Sequence, residues 1–204
     1  MRFNRRNLLI VGLDLAGVET RPTGFCRLAG MKADTCLMYT DAEILRSIRE
    51  IRPAVVAIDA PLSLPPGRKS LQERTNVHLR ECDKELLRRG IKFFPITLGP
   101  MRKLTERGRK MRLALESEGY IALEAYPGGA QDVLGIPRKQ RGLEKLKAGL
   151  EGLGIRGLEN ELSDHELDAV TCAYVGKLFL EGNAVTYGAP NDGIVMPVDK
   201  RELR

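Results

Sequence analysis

Two apolar runs, LLIVGLDLAG at 8–17 and AVVAIDAPL at 54–62, constrain what this chain can fold into more than any other feature. In both, apolar residues follow one another instead of alternating with polar ones. Strands of that kind are covered on both faces, which calls for a sheet with helices packed on either side. Each run also carries an aspartate, Asp14 in the first and Asp59 in the second. An isolated carboxylate in such a place costs several kcal/mol unless it is paired or protonated. Each acid has a plain explanation: Asp14 turned to backbone N–H groups at its strand end, Asp59 serving as a turn acid before Ala60-Pro61. Two such acids at the ends of two apolar strands point instead to something positive between them.

The remaining pattern supplies the partners. TGFCRLAG (23–30) and DTCLMYT (34–40) read as strands in a meander with the first. Asp41 reads as the N-cap of a helix over 42–51, with Ile44, Leu45, Ile48 and Ile51 on one face and Pro53 after it. PLSLPPGRKS (61–70) is a loop, residues 71–89 have a polar helical pattern closed by Gly90, and KFFPITLGP (92–100) is irregular. A basic helix spans 102–119 with a possible break at Gly108. YIALEAYP (120–127) is a strand, 138–150 a charged amphipathic helix, and 161–181 a long helix with Leu167, Val170, Ala173, Tyr174 and Leu178 at core spacing. GIVMPV (193–198) reads as a short edge strand. No repeat, low-complexity tract or linker divides the 204 residues. The expected organisation is a single α/β domain over 1–204, with a helical insertion at about 63–119.

No stretch has the apolar length of a bilayer span. MRFNRRN followed by the first apolar run has the look of a secretory leader. Asp14 within that run, the lack of a small-x-small cleavage site and the direct entry into the domain make it a first strand instead. The cysteines, Cys26, Cys36, Cys82 and Cys172, form no CxxC pair, and with two histidines there is no support for structural zinc. A reduced chain in the cytoplasm is the simpler expectation. A net charge of +6 permits a polyanionic partner without demanding one.

Two further acids join the first pair. Glu124 interrupts the strand YIALEAYP, and Asp168 lies near the start of the long helix in SDHELDAVTCAYVG. Asp164, His165 and Asp168 fall on neighbouring turns of one helix face. Ala169 and Ala173 beside them would let that helix approach a sheet closely. Carboxylates collected from several strands and one helix make a hard, oxygen-rich site suited to Mg²⁺ or Mn²⁺, the ions that support phosphodiester cleavage. Taken singly, Asp164 and His165 read equally well as helix N-terminal residues, stabilised by capping or the macrodipole. Tyr126-Pro127-Gly128-Gly129 could present backbone N–H groups to an anion, or form an ordinary strand-to-helix turn. Arg102, Lys103, Arg107, Arg109, Lys110 and Arg112 crowd one helix, as a solvated face or as a track for a nucleic-acid backbone. Aromatic residues are sparse, so an extended base-stacking platform is not evident.

GLDLAG (12–17), AIDAPLSLP (57–65), RECD (80–83), FPI (94–96), the methionine-led helix from Met101, EAYPGGA (124–130), the D-x-x-x-D-A of Asp164 to Ala169, and YGAPNDGIVMP (187–197) together resemble the domain of unknown function 429 family. These are predicted nucleases of RNase H-like fold, and the resemblance spans essentially the whole chain. It implies a mixed five-stranded sheet flanked by helices. Asp14, Asp59 and Asp168 match the first-strand, fourth-strand and late-helix acids that form the metal site in RuvC-like and YqgF-like nucleases. His165 is similar to the histidine of a His-x-x-Asp in some RuvC-type sites, and Glu124 to the fifth-strand acid of the YqgF-like branch. Asp59 departs from the usual glutamate by one methylene, which would move the metal or change its hydration. The resemblance further implies that Arg80 meets a phosphate and Asp83 orients it, while three residues apart on a helix the two read equally well as a surface bridge with each other. Arg107 of the basic helix and Tyr126 of the turn after Glu124 are the further candidate substrate contacts.

The expected function is therefore metal-dependent phosphodiester hydrolysis of nucleic acid. Asp14, Asp59, Asp168 and Asp164 would hold Mg²⁺ or Mn²⁺, and Glu124 and His165 would assist catalysis. The alternative is a non-catalytic module that binds nucleic acid or protein on the same scaffold. An actin-like phosphotransferase would need two such domains, and no Walker-type phosphate loop occurs. Whether the chain is a monomer or a homodimer stays open at this level.

Overall fold

The computed structural model describes residues 8–73 and 75–199. The basic stretch before Leu8, Arg74 and residues 200–204 lie outside the described residues. Strands β1 (Leu9–Asp14), β2 (Thr23–Ala29) and β3 (Lys32–Met38) form the antiparallel meander. Helix α1 (Asp41–Ile51) then leads to β4 (Val55–Asp59), which lies parallel to β1 on its other side. Helices α2 (Glu81–Arg88) and α3 (Gly99–Ser117) precede β5 (Ala122–Ala125), parallel to β4. Helices α4 (Pro127–Leu134), α5 (Leu143–Gly152) and α6 (Asp164–Glu181) follow, then β6 (Ala184–Tyr187) and β7 (Ile194–Pro197). The sheet order is β3-β2-β1-β4-β5-β7-β6. A meander whose first strand continues into parallel β4 and β5 is the RNase H-like arrangement. The sheet has seven strands instead of the expected five, because β7 pairs with β5 and β6 closes the edge beside it.

Period-two alternation sorts the strand side chains. Val11, Leu13, Val56 and Ile58 point to one face, where Ile44 and Ile48 of α1 and Met111 and Leu115 of α3 cover them. Ile10 and Val55 point to the other face and meet Leu167, Val170 and Ala173 of α6. Gly12, Asp14, Ala57 and Asp59 share that second parity, so both aspartates open toward α6.

Several local expectations are revised, each for a visible reason. Thr40, not Asp41, caps α1: its hydroxyl accepts from the Glu43 N–H while Glu43 reaches back to the Thr40 N–H, a capping box. Only Glu81–Arg88 of the stretch 71–89 is α-helical. Buried Arg68 donates to the carbonyls of Ser70, Leu71, Glu73 and Val77, holding the preceding backbone out of a helix. Helix α3 runs through Gly108 unbroken, since the missing side chain makes room for Ala60 and Pro61. After Glu124 the strand-to-helix turn is as the sequence allowed, and it opens α4, with Pro127 at the first position and Gly135 at positive φ beyond its end. The amphipathic stretch from 138 is a 3₁₀ turn, Lys139–Arg141, followed by α5. All four cysteines are unpaired thiols. Among the described residues, no helix is long and apolar enough to cross a membrane.

Two glycines set the depth of the whole assembly. A methyl on Gly12 would stand 2.1 Å from the Ala169 carbonyl oxygen and 2.4 Å from the Ala173 nitrogen. One on Gly24 would stand 2.0 Å from the His165 carbonyl oxygen. The backbone of α6 thus rests directly on β1 and β2. Gly12→Ala is expected to lower stability by about 3 kcal/mol or more in urea denaturation, since packed backbone must move. Gly152→Ala, where a methyl meets nothing within 4 Å, should be neutral or stabilising by up to about 1 kcal/mol in the same assay.

Candidate functional site

Asp14 and Asp59 are direct neighbours in the parallel register of β1 and β4, at the carboxyl ends of both strands. The close seat of α6 brings its first turns over them, so acids from two strands and one helix share a single corner. The His165 ring nitrogen Nδ1 lies 2.7 Å from an Asp14 carboxylate oxygen, a contact that raises the imidazole above its usual value despite partial burial. Asp168, on the next turn, is buried. It accepts from Gln131 Nε2 at 2.8 Å and pairs with the Lys139 ammonium at 2.9 Å. The same ammonium lies 2.9 Å from Asp164.

Of the two strand acids Asp14 is met by His165, while Lys139 is the cation of the two helix acids, Asp164 and Asp168. Burial alone would pull its ammonium down, but Asp168 and Asp164 outweigh burial and hold it above the ordinary lysine range. Asp59 is treated differently. Among the described residues no side chain or backbone N–H donates to its carboxylate, and its pKa rises well above the usual range through burial, then through Asp14 and Asp168. Burial also raises Asp168, against the pull of Lys139. The corner is an electronegative site that one lysine and one histidine neutralise only in part.

The donors are carboxylate oxygens, and in chemistry they fit a hard divalent cation. Their present arrangement is less finished: among the described residues, no group of three or more His, Cys, Asp or Glu side chains is arranged to hold a metal ion. The contacts of Lys139 with Asp164 and Asp168 occupy oxygens that an ion would use.

Glu124 is a separate case. It pairs in register with Ile58, so it leaves the sheet on the face opposite α6, yet it lines a cavity of about 180 Å³ together with Asp59, Arg80 and Tyr126. It is buried, accepts from the Leu62 N–H at 2.7 Å and pairs with Arg80 at 2.7 Å. Arg80 also holds Asp83 at 2.9 Å, and both residues are buried. Arg80, Asp83 and Glu124 together make a buried ion triad that ties α2 to β5. Arg107 is likewise buried, donating to Asp41 and to the carbonyls of Ala16 and Tyr39. It joins α1, α3 and the β1 loop instead of facing a substrate. Arg112 engages Glu116 and Asp192. Tyr126, by contrast, borders a cleft of about 720 Å³ that opens beside Asp59 and Asp168. Its hydroxyl donates to the Lys92 carbonyl, and Arg138 lies over its ring at 5.7 Å.

Lys139 and Gln131 were not singled out in the sequence. The signal for Gln131 was Pro127 opening a helix that closes at Gly135. Nothing local marks Lys139 among its basic neighbours Arg138 and Arg141.

No family model matches the chain and no curated protein is similar to it, so the resemblance to the domain of unknown function 429 family gains no support from those comparisons. Among solved structures, Thermus thermophilus RuvC is similar at 16% identity with a TM-score of 0.49. The same protein in complex with a Holliday junction substrate gives 15% and 0.47. Each alignment covers 86% of this chain and 97% of that one.

Removing the cation of the buried triad leaves two buried carboxylates without a counter-ion. Arg80→Leu should destabilise the fold by about 3–5 kcal/mol, read from chemical denaturation. The double variant Arg80→Leu with Glu124→Gln should recover part of that loss.

Proposed function

We propose that this chain is a metal-dependent nuclease acting on phosphodiester bonds. The observation that carries this function is the adjacency of Asp14 and Asp59 on parallel strand ends, with Asp168 of α6 packed over them. Three acids in that relation have no structural task that apolar residues would not perform better, and one of them has no donor among the described residues. Asp14, Asp59 and Asp168 are the residues that would hold Mg²⁺ or Mn²⁺, with His165 beside Asp14. Such an ion lowers the pKa of a bound water and stabilises charge on the phosphate oxygens. Gln131 orients Asp168, and Asp14 orients the His165 ring, leaving its other nitrogen, 4.0 Å from Asp164, for proton exchange. Lys139 neutralises Asp164 and Asp168, and an ion held by Asp168 would compete with that ammonium for its carboxylate. Asp164, paired to the same lysine, stands at the rim.

That Lys139 already contacts two of the carboxylates favours a second function, a non-catalytic binding module whose acids are neutralised internally. Calorimetric titration with Mn²⁺ separates the two. A nuclease should bind Mn²⁺, lose that binding in Asp14→Asn and in Asp168→Asn, and cut labelled single-stranded or branched nucleic acid only with the ion present. Absence of Mn²⁺ binding at millimolar concentration, together with no cleavage, would favour the binding module. Lys139→Met should tighten Mn²⁺ binding on the order of tenfold, roughly 1.4 kcal/mol, by removing the competing ammonium.

A further inference from the structure

The cleft beside Asp59 and Asp168 does not end at the acids. A second hollow of about 620 Å³ shares Lys92, Arg138 and Gln140 with it and continues to Arg141. Together the two form one trough that starts at the acidic corner and leads away past three successive surface features. The first is aromatic: Phe93, Phe94 and Tyr126 line the wall nearest Asp59. Phe94 is 73% exposed, the most exposed large apolar side chain among the described residues. The second is the Arg138 guanidinium, which lies over the Tyr126 ring and is paired with Asp132, a carboxylate that lines the second hollow. The third is cationic: Lys92 and Arg141 are exposed, and neither has a carboxylate partner among the described residues.

An apolar ring left in water beside unpaired cations, leading into a carboxylate site, matches one ligand chemistry. A phosphate backbone satisfies the cations, and a base face covers the ring. The ring also limits the form of the nucleic acid. In a continuous duplex every base face is already stacked, so an aromatic side chain finds a free face only on an unpaired nucleotide.

Helix α3 was the place where the sequence concentrates basic residues, but its geometry serves the trough poorly. Its body packs on the sheet face opposite α6. Arg107 and Arg112 are engaged internally, and none of its basic residues lines either hollow.

We infer that the trough is the path of one unpaired nucleic-acid strand, with a base against Phe94 and phosphates on Lys92 and Arg141. This rests on the nuclease function proposed above and names its substrate class: single-stranded or locally unpaired nucleic acid, held by backbone and stacking contacts without base-specific readout.

Fluorescence anisotropy with a labelled 15-nucleotide single strand and its duplex, in EDTA so that nothing is cleaved, tests the path. The native chain should prefer the single strand. Phe94→Ala should weaken single-strand binding on the order of tenfold. Lys92→Glu with Arg141→Glu should weaken it at least as much and flatten its salt dependence. Lys103→Glu with Lys110→Glu on α3, the same change in charge, should stay within about twofold of native. Circular dichroism confirms that each variant is folded. Equal losses from the α3 and trough pairs would overturn the inference, and so would duplex preferred over single strand or no effect of Phe94→Ala. A chain that binds Mn²⁺ through its carboxylates but binds neither nucleic acid overturns the trough and leaves the metal centre standing. Trough-dependent strand binding without Mn²⁺ binding does the reverse.

Discussion

The close seat of α6 on β1 and β2 is the constraint on which the rest depends. Ordinary side chains would hold a helix about 10 Å from a sheet. Gly12 and Gly24 remove the side chains beneath it, and Ala169 and Ala173 keep the facing surface small. Backbone meets backbone, and the first turns of α6 drop onto the carboxyl ends of β1 and β4. Without that approach, His165 would not reach Asp14, and Asp168 would not share a corner with Asp59. The glycines that weaken a strand in isolation are here what assembles a polar site on an apolar scaffold.

Two sets of buried charge follow from that scaffold, and they obey different logic. On the α3 side, Arg80 meets Glu124 and Asp83 at close distance, and the Leu62 N–H completes the carboxylate's coordination. Every group has a partner, so the triad is a structural tie for the irregular segment between β4 and β5. On the α6 side the acids outnumber their partners. Lys139 and His165 reach three of the four carboxylates, and Asp59 goes without. Burial then drives Asp59 toward protonation unless a further cation approaches. An imbalance of this kind lowers stability unless something relieves it.

The segment around 63–119 supplies the walls of that site, not its chemistry. Its loop over 92–98 carries Phe93 and Phe94 to the edge of the acidic corner, and Lys92 with them. The 3₁₀ turn at Lys139–Arg141 faces this loop across the cleft and brings the remaining cations. Each wall comes from a stretch with little regular structure, held by specific contacts such as the Tyr126 hydroxyl on the Lys92 carbonyl. Chemistry on rigid strand ends, with recognition on loops, is the usual division of labour in α/β folds.

The amino-acid sequence by itself determined the two-sided burial of β1 and β4, the meander, the long final helix, the small residues at Ala169 and Ala173, and the acids Asp14, Asp59 and Asp168. All of these are local: continuous apolar runs, helical spacing and a carboxylate where none belongs. The remaining decisions belonged to the tertiary structure. Glu124 and Asp14 look alike in sequence, both acids near the end of an apolar strand. Strand register turns one into the Arg80 triad and the other toward α6, since a shift of one residue reverses the face. Arg107 reads as one cation of a basic helix until burial shows it paired with Asp41, and Arg80 reads as a partner for Asp83 or a phosphate until the fold adds Glu124. Lys139 reads as one basic residue among several until the fold sets it between Asp164 and Asp168. Charge type is written locally, but which charges meet depends on register and on contacts between residues distant in the chain, and neither is encoded in any short stretch.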